Sequence, residues 1–245
     1  SDHLLVGIEA SEEGRAFLEL HPLTPLAKTV ETRLMGGEDW VSEPQPQPGV
    51  LHLMHNWGGG LEQWVRSYCG AEGRVRHLVL KSVGNWGAFG QRLWLHQGGP
   101  DGPLLEEHNL GRPIRATETA HARYREILHG LLERHGVDLI LVSSLIGHAF
   151  ELLETDIPTY LVAHDYAPFC PALNISFGEL CTACPSPRLA SCFRDNPHNR
   201  FFINMDAPDW LPIRERYAAI MSERRLPWVA PSPSVINNLV RLEPR

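Results

Sequence analysis

Pro158-Thr-Tyr-Leu-Val-Ala-His-Asp-Tyr-Ala-Pro-Phe-Cys-Pro171 is the stretch on which the reading of the fold turns. Thr159 to Ala163 is a short apolar run rich in strand-forming residues, entered from a proline and stopped by the polar pair His164-Asp165. A buried parallel strand that ends at a site has this pattern. The Pro168-Phe-Cys-Pro171 segment is incompatible with regular helix or a central strand. Four cysteines then fall close together, at positions 170, 181, 184 and 192.

Working back from this strand, Asp138 to Ser143 is a second apolar run, and Ser144 to Leu153 is expected to be a short helix. Before it, Thr117 to His135 carries Ala120, Tyr124, Ile127, Leu128, Leu131 and Leu132 at helical spacing, with Thr117 as its cap and Gly136 as its stop. Alternation of helix and strand with short links predicts an α/β fold, a Rossmann-like, doubly wound parallel sheet. Val50 to His55 is another strand, followed by Asn56-Trp-Gly-Gly-Gly60 and a helix from Leu61 to Tyr68. Arg76 to Val83 and Gln91 to His96 read as strands separated by a glycine-rich loop, and Gln97 to Pro103 as a turn-rich loop. Downstream, Leu211 to Arg224 is helical, Trp228 to Ala230 a short strand, and Ser234 to Leu242 a last helix. Residues 4 to 9 and 15 to 20 suggest a hairpin, and 36 to 49 a linker rich in Pro and Gly. The expected organisation is an appendage over 1–48 and one domain over 49–245, with a cysteine-rich insertion at 170–192.

A net charge of -7 opposes broad binding to nucleic acid or acidic membrane. No apolar run is long enough to predict a transmembrane segment, and the first residues do not read as a signal peptide. Of the 5 cysteines four are clustered, and Cys69 stands apart on a probable helix. That usage fits a metal site in a reducing, cytoplasmic setting better than a disulfide framework.

Loops at the carboxyl ends of parallel strands gather on one edge, where such sheets bind ligands. Trp57 with Gly58, Gly59 and Gly60, then Ser143-Ser144, His164-Asp165 and Ser232-Pro-Ser234 all follow strands and are expected on that edge. The glycines let a backbone approach a ligand, and the helix start offers free N–H groups to an anion. His164 is a candidate acid–base or positioning group, with Asp165 beside it to orient or charge-stabilise it; His55 and His148 are further imidazoles. Cys181-Thr-Ala-Cys184 is a knuckle for one ion, which Cys170 and Cys192 would complete as a closed, structural zinc site. An iron–sulfur cluster or plain buried thiols remain alternatives, and His198 is a spare ligand.

His55-Asn-Trp-Gly-Gly-Gly60 and Val162-Ala-His-Asp-Tyr166 with Phe169-Cys-Pro171 resemble segments of retaining GT-B glycosyltransferases of the bacterial group 1, family 4-like kind. Trp228-Val-Ala-Pro-Ser-Pro-Ser234 is similar to the strand before their interdomain crossover. The resemblance implies the N-terminal, acceptor-side half of such an enzyme, with a nucleotide-sugar donor and a glycan or lipid-linked acceptor at the inner membrane. It implies that His164 positions the transferred sugar, that Asp165 is secondary, and that Gly58, Gly59, Gly60, Trp57 and Ser144 approach donor or acceptor. It also implies a C-terminal donor domain beyond Arg245. Glu118 and Glu126 have the spacing of such an enzyme's glutamate pair, but inside an amphipathic helix they read as a solvated face. The second reading is a non-catalytic, metal-stabilised module that binds a glycan or a protein.

Overall fold

Gly49–His55 (β1) has all seven residues buried, as a strand covered on both faces must. The computed structural model describes residues 47–85, 88–202, 204–230 and 232–242, and the chain from Pro48 onward forms one compact unit. The expected hairpin at 4–20, and the linker up to residue 46, lie outside the described residues.

From β1 the chain passes through helix α1 (Gly60–Ala71) to β2 (Arg76–Asn85), then β3 (Ala88–Gln97) and β4 (Leu104–Ile114). Helix α2 (Ala122–Arg134) leads to β5 (Val137–Val142), and a single 3-10 turn (Phe150–Leu153) precedes β6 (Thr159–Val162). A small hairpin, β7 (Ser176–Phe177) with β8 (Glu179–Leu180), is followed by α3 (Ser186–Asp195) and α4 (Ala207–Arg224). Strand β9 (Trp228–Val229) and helix α5 (Pro233–Leu242) complete the described chain.

The main sheet has the order β4-β3-β2-β1-β5-β6-β9. Strands β2, β1, β5, β6 and β9 run parallel, while β3 and β4 pair antiparallel at one edge. After β1 the chain first adds strands on one side and later on the other, so a topological switch lies between β1 and β5. The result is a mixed α/β sheet, mostly parallel, consistent with the Rossmann-like class.

Strand alternation decides what each face of β1 contains. Leu51 and Leu53 enter the main core with Tyr124, Phe150, Trp210 and Tyr217. Met54 points the other way, against Leu61 and Val65 of α1 and Val79 of β2. Burying each such large side chain contributes on the order of 1.5–3 kcal/mol. Helix α4 begins with a reciprocal cap, in which Asp206 accepts from Asp209 N–H at 3.0 Å and Asp209 accepts from Asp206 N–H at 3.3 Å.

Several expectations are corrected. Helix α2 starts at Ala122, not near Thr117, and is capped by His121, whose ring accepts from Tyr124 N–H at 3.1 Å. The Thr117 hydroxyl instead donates to the Leu145 carbonyl at 2.9 Å, fastening two loops together. The helix expected over Ser144–Leu153 reduces to the 3-10 turn, because Gly147 takes φ 76 and turns the chain inward. The glycine-rich stretch after Val83 is a hairpin between two ten-residue strands, with Trp86 and Gly87 outside the described residues. Strand β4, unforeseen, is an edge strand whose exposed residues mix Leu104 and Leu105 with Glu107, Asn109 and Arg112. Of the two glutamates expected inside that helix only Glu126 lies in α2, where it pairs with Arg123; Glu118 precedes the helix and pairs with Arg112.

Candidate functional site

Three groupings of side chains have chemical potential. The first is the rim at the carboxyl ends of the parallel strands. Trp64, one turn into α1, meets the His164 ring edge-on at 5.2 Å. The glycine turn at the head of α1 and the end of β6 therefore share this rim. Gly58 and Gly59 take φ 76 and 83, which favours glycine, and nothing lies within 4 Å of where a Cβ would stand. No side chain caps α1, so its first N–H groups stay available. Trp57 is committed to packing, stacked on His55 at 4.5 Å and on Phe201 at 4.9 Å.

His164 and Asp165 do not behave as an orienting pair. The Asp165 carboxylate accepts from Ala167 N–H at 2.8 Å and so forms a local turn. Its burial pushes its carboxyl up to about 6. His164 Nε2 is buried without a hydrogen-bond partner, and burial holds its imidazole down at about 4. Burial, followed by the nearby His148, likewise brings His55 to about 4. All these imidazoles are neutral near pH 7. Ser144 Oγ accepts from Ile146 N–H at 3.1 Å, a turn contact, whereas buried Ser143 Oγ has no partner. A cavity of about 20 Å³, room for one water, lies among Ser143, Ser144, Ala163 and Asp165. His148 is a core residue: its Nδ1 faces the Tyr124 hydroxyl at 2.9 Å, and its Nε2 faces the Met54 carbonyl at 3.0 Å.

The second grouping is the cysteine cluster. Cys170, Cys181, Cys184 and Cys192 line one cavity of about 20 Å³, and all are free thiols. The loop after Cys170 holds Leu173 and Ile175 at φ 64 and 48, unfavourable for such side chains, with Ile175 fixed by burial. The β7–β8 hairpin delivers Cys181, whose N–H donates to Ile175 O at 2.7 Å. Helix α3 turns Cys192 inward beside Leu189. Each sulfur has N–H donors. Arg188 donates to Cys181 Sγ at 3.3 Å, Arg214 to Cys184 Sγ at 3.4 Å, and Asn196 to Cys192 Sγ at 3.1 Å. Backbone N–H groups of Ile175 and Ala172 serve Cys170, although burial still pushes its thiol up to about 11. Among the described residues Arg214 forms no ion pair with a carboxylate, and its Nε is buried without a partner. His198 is not among the residues lining the cavity.

The third grouping was not foreseen. His52 of β1, Cys69 of α1 and His77 of β2 bring one ligand atom each within 4.8 Å of one another. Cys69 is thus not isolated: with Leu61 and Val65 it forms an i, i+4, i+8 stripe that packs on the sheet face carrying His52. The signal was present in the two histidines that interrupt apolar strand runs, but their adjacency depends on the β1–β2 register. The pair Cys69–His52 is not poised for nucleophilic catalysis. Burial pushes the thiol up to about 11 and the imidazole down to about 3, which opposes a thiolate–imidazolium pair.

No family model matches this chain, and no curated protein matches it. Among solved structures it matches a secreted C11 cysteine protease from Bacteroides thetaiotaomicron, with 10% identity and a TM-score of 0.27. The match covers 53% of this chain and 34% of the protease, and a likeness this weak supports no inference about fold or chemistry. The glycosyltransferase expectation is corrected here: none of the comparisons returned a glycosyltransferase. Nothing in the comparisons supports the nucleotide-sugar donor or the glycan or lipid-linked acceptor, and the glycan- or protein-binding module gains no support either. Among the described residues no helix is long and apolar enough to cross a membrane, as expected.

Proposed function

We propose that this chain is a metal-binding α/β protein in which Cys170, Cys181, Cys184 and Cys192 hold one metal centre. The observation that carries the reading is that four thiols line one cavity and each sulfur has N–H donors aimed at it. Plain buried thiols have no need of such donors, whereas metal-bound thiolates are tuned by them. The Arg214 guanidinium supports the same conclusion: it donates to the Cys184 and Phe169 carbonyls and to Cys184 Sγ but among the described residues meets no carboxylate, and a four-thiolate centre would supply that negative charge. The centre would clamp the segment from Tyr166 to Asn196 beside the rim that carries His164.

Zinc is the first candidate, acting as a closed structural ion. Tetrahedral zinc would draw its sulfurs to roughly 3.8 Å apart, given Zn–S near 2.3 Å. Among the described residues no three of these thiols lie mutually within 4.8 Å, so binding would have to bring them closer together. Four thiolates are also the ligand set of an iron–sulfur cluster, which is the second reading. Elemental analysis and visible absorption of anaerobically purified protein test both. One zinc, or an iron–sulfur chromophore, is expected, and either should be lost in Cys184→Ser. A wild-type protein from which that substitution removes neither zinc nor iron would refute the metal centre.

The rim is proposed to receive an anionic ligand group. The uncapped N–H groups at Gly59–Leu61 and the partnerless His164 Nε2 support this. Titration with pyrophosphate, repeated on His164→Ala, tests it: heat of binding that is weakened in the variant is expected, and no binding by wild type would end it.

A further inference from the structure

We propose that His52, Cys69 and His77 form a second metal site, for a borderline-soft divalent ion of the zinc class, between α1 and the sheet. The geometry is the argument. His52 Nε2 stands 3.2 Å from His77 Nδ1 and 3.8 Å from Cys69 Sγ. A tetrahedral ion with metal–nitrogen bonds near 2.05 Å and a metal–sulfur bond near 2.3 Å separates such atoms by roughly 3.3 and 3.6 Å. The three ligand atoms already converge as an ion would require.

The surroundings fix the tautomer that ligation needs. His77 Nε2 lies 2.7 Å from the Glu72 carbonyl, which only accepts, so this nitrogen carries the proton. Nδ1 is left with a lone pair directed at His52. An imidazole held through its far N–H by a backbone carbonyl is the usual support for a ligating histidine. A hydrogen bond from His52 to His77 would account for that contact alone. It would not account for Cys69 Sγ at 3.8 Å from the same nitrogen.

Both imidazoles are neutral when ligating, and burial favours that state for His52. On binding, the Cys69 S–H bond breaks, its proton passes to solvent, and the thiolate forms the metal–sulfur bond. Tyr68 screens the pair from solvent, its ring 5.4 Å from that of His52 and 5.9 Å from that of His77. The Glu72 carboxylate is held by Arg74 at 2.9 Å and so is not free to ligate. Three protein ligands leave a fourth position for water, unlike the four-thiol centre. Nothing here rests on that centre, which shares no residue with this one.

Zinc titration with metal counting tests the proposal. Cys69→Ser and His77→Gln should each bind one zinc fewer than wild type, while Cys184→Ser retains this site. On the unsubstituted protein, zinc should slow alkylation of Cys69 by N-ethylmaleimide at least tenfold, read by peptide mapping, and EDTA should restore it. Equal zinc content in wild type and both variants would overturn the site, as would a Cys69 alkylation rate indifferent to zinc.

Discussion

Replacing His148 by Gln should flatten the acid side of the stability profile. His148 is wholly buried, and burial, only partly countered by its bond to the Met54 carbonyl, holds its imidazole at about 4 against an ordinary 6.5. The unfolded chain therefore binds this proton more readily than the fold does. Stability from this group is complete above the unfolded value and is lost as pH falls toward the folded one. Linkage at about 1.36 kcal/mol per unit gives a loss of about 2 kcal/mol between about pH 7.5 and about pH 5. His55 and His164 act in the same direction. Asp165 opposes them: its carboxyl is raised to about 6, so its contribution is full below 3.8 and lost as pH rises through the folded value. The raw curve mixes these groups, whereas the difference between wild type and His148→Gln reports His148 together with its coupling to His55. Gln can still donate to Met54, so the substitution lowers stability at neutral pH by a constant offset without a titrating group. Urea unfolding at the two pH values should show the gap between the proteins shrinking by about 2 kcal/mol on acidification. Parallel profiles would refute the assignment of His148 as a buried neutral imidazole.

Two glycines with the same φ of 76 should respond differently to alanine. At Gly147 a Cβ would stand 2.4 Å from Ser82 Oγ, so Gly147→Ala should cost about 3 kcal/mol in denaturant unfolding, whereas open Gly58→Ala should cost about 1 kcal/mol. Glu106 is partly buried, which raises its pKa, yet bonds from His135, Arg134 and His108 hold it at about 2. Glu106→Gln should therefore lose about 1–2 kcal/mol above about pH 4.5, and the deficit should vanish as pH falls toward the folded value. Arg214→Gln removes the donor to Cys184 Sγ, and the rate at which a chelator strips metal from the thiol centre should rise about tenfold.

The apolar runs at 50–55, 138–143 and 159–163, each ended by polar or glycine residues, were enough to predict strands of a parallel sheet and the edge on which their loops gather. Periodicity reports which face of a segment is apolar, and burial follows from that. It does not report where a helix begins when capping and tertiary bonds compete, which is why Thr117 fastens a loop and His121 starts α2. Nor does it mark an antiparallel edge such as β4, where leucines and polar residues are exposed together and register shifts break the alternation. The grouping of four cysteines, which line one cavity, was legible because they are close in sequence. Resemblance of short motifs to a transferase family did not carry the function, since a few residues around a strand end recur wherever a sheet needs a tight turn.

By itself the sequence determined that the chain folds as an α/β sheet, that His164 and the triple glycine follow strands, and that Cys170 to Cys192 lie in one loop region. Only the tertiary structure decided that Asp165 serves a turn and not His164, that each clustered sulfur has N–H donors, and that His52, Cys69 and His77 meet. The reason is physical: local pattern fixes the direction of a side chain relative to its own element, while contact across elements depends on strand register and helix placement, which the whole core sets at once.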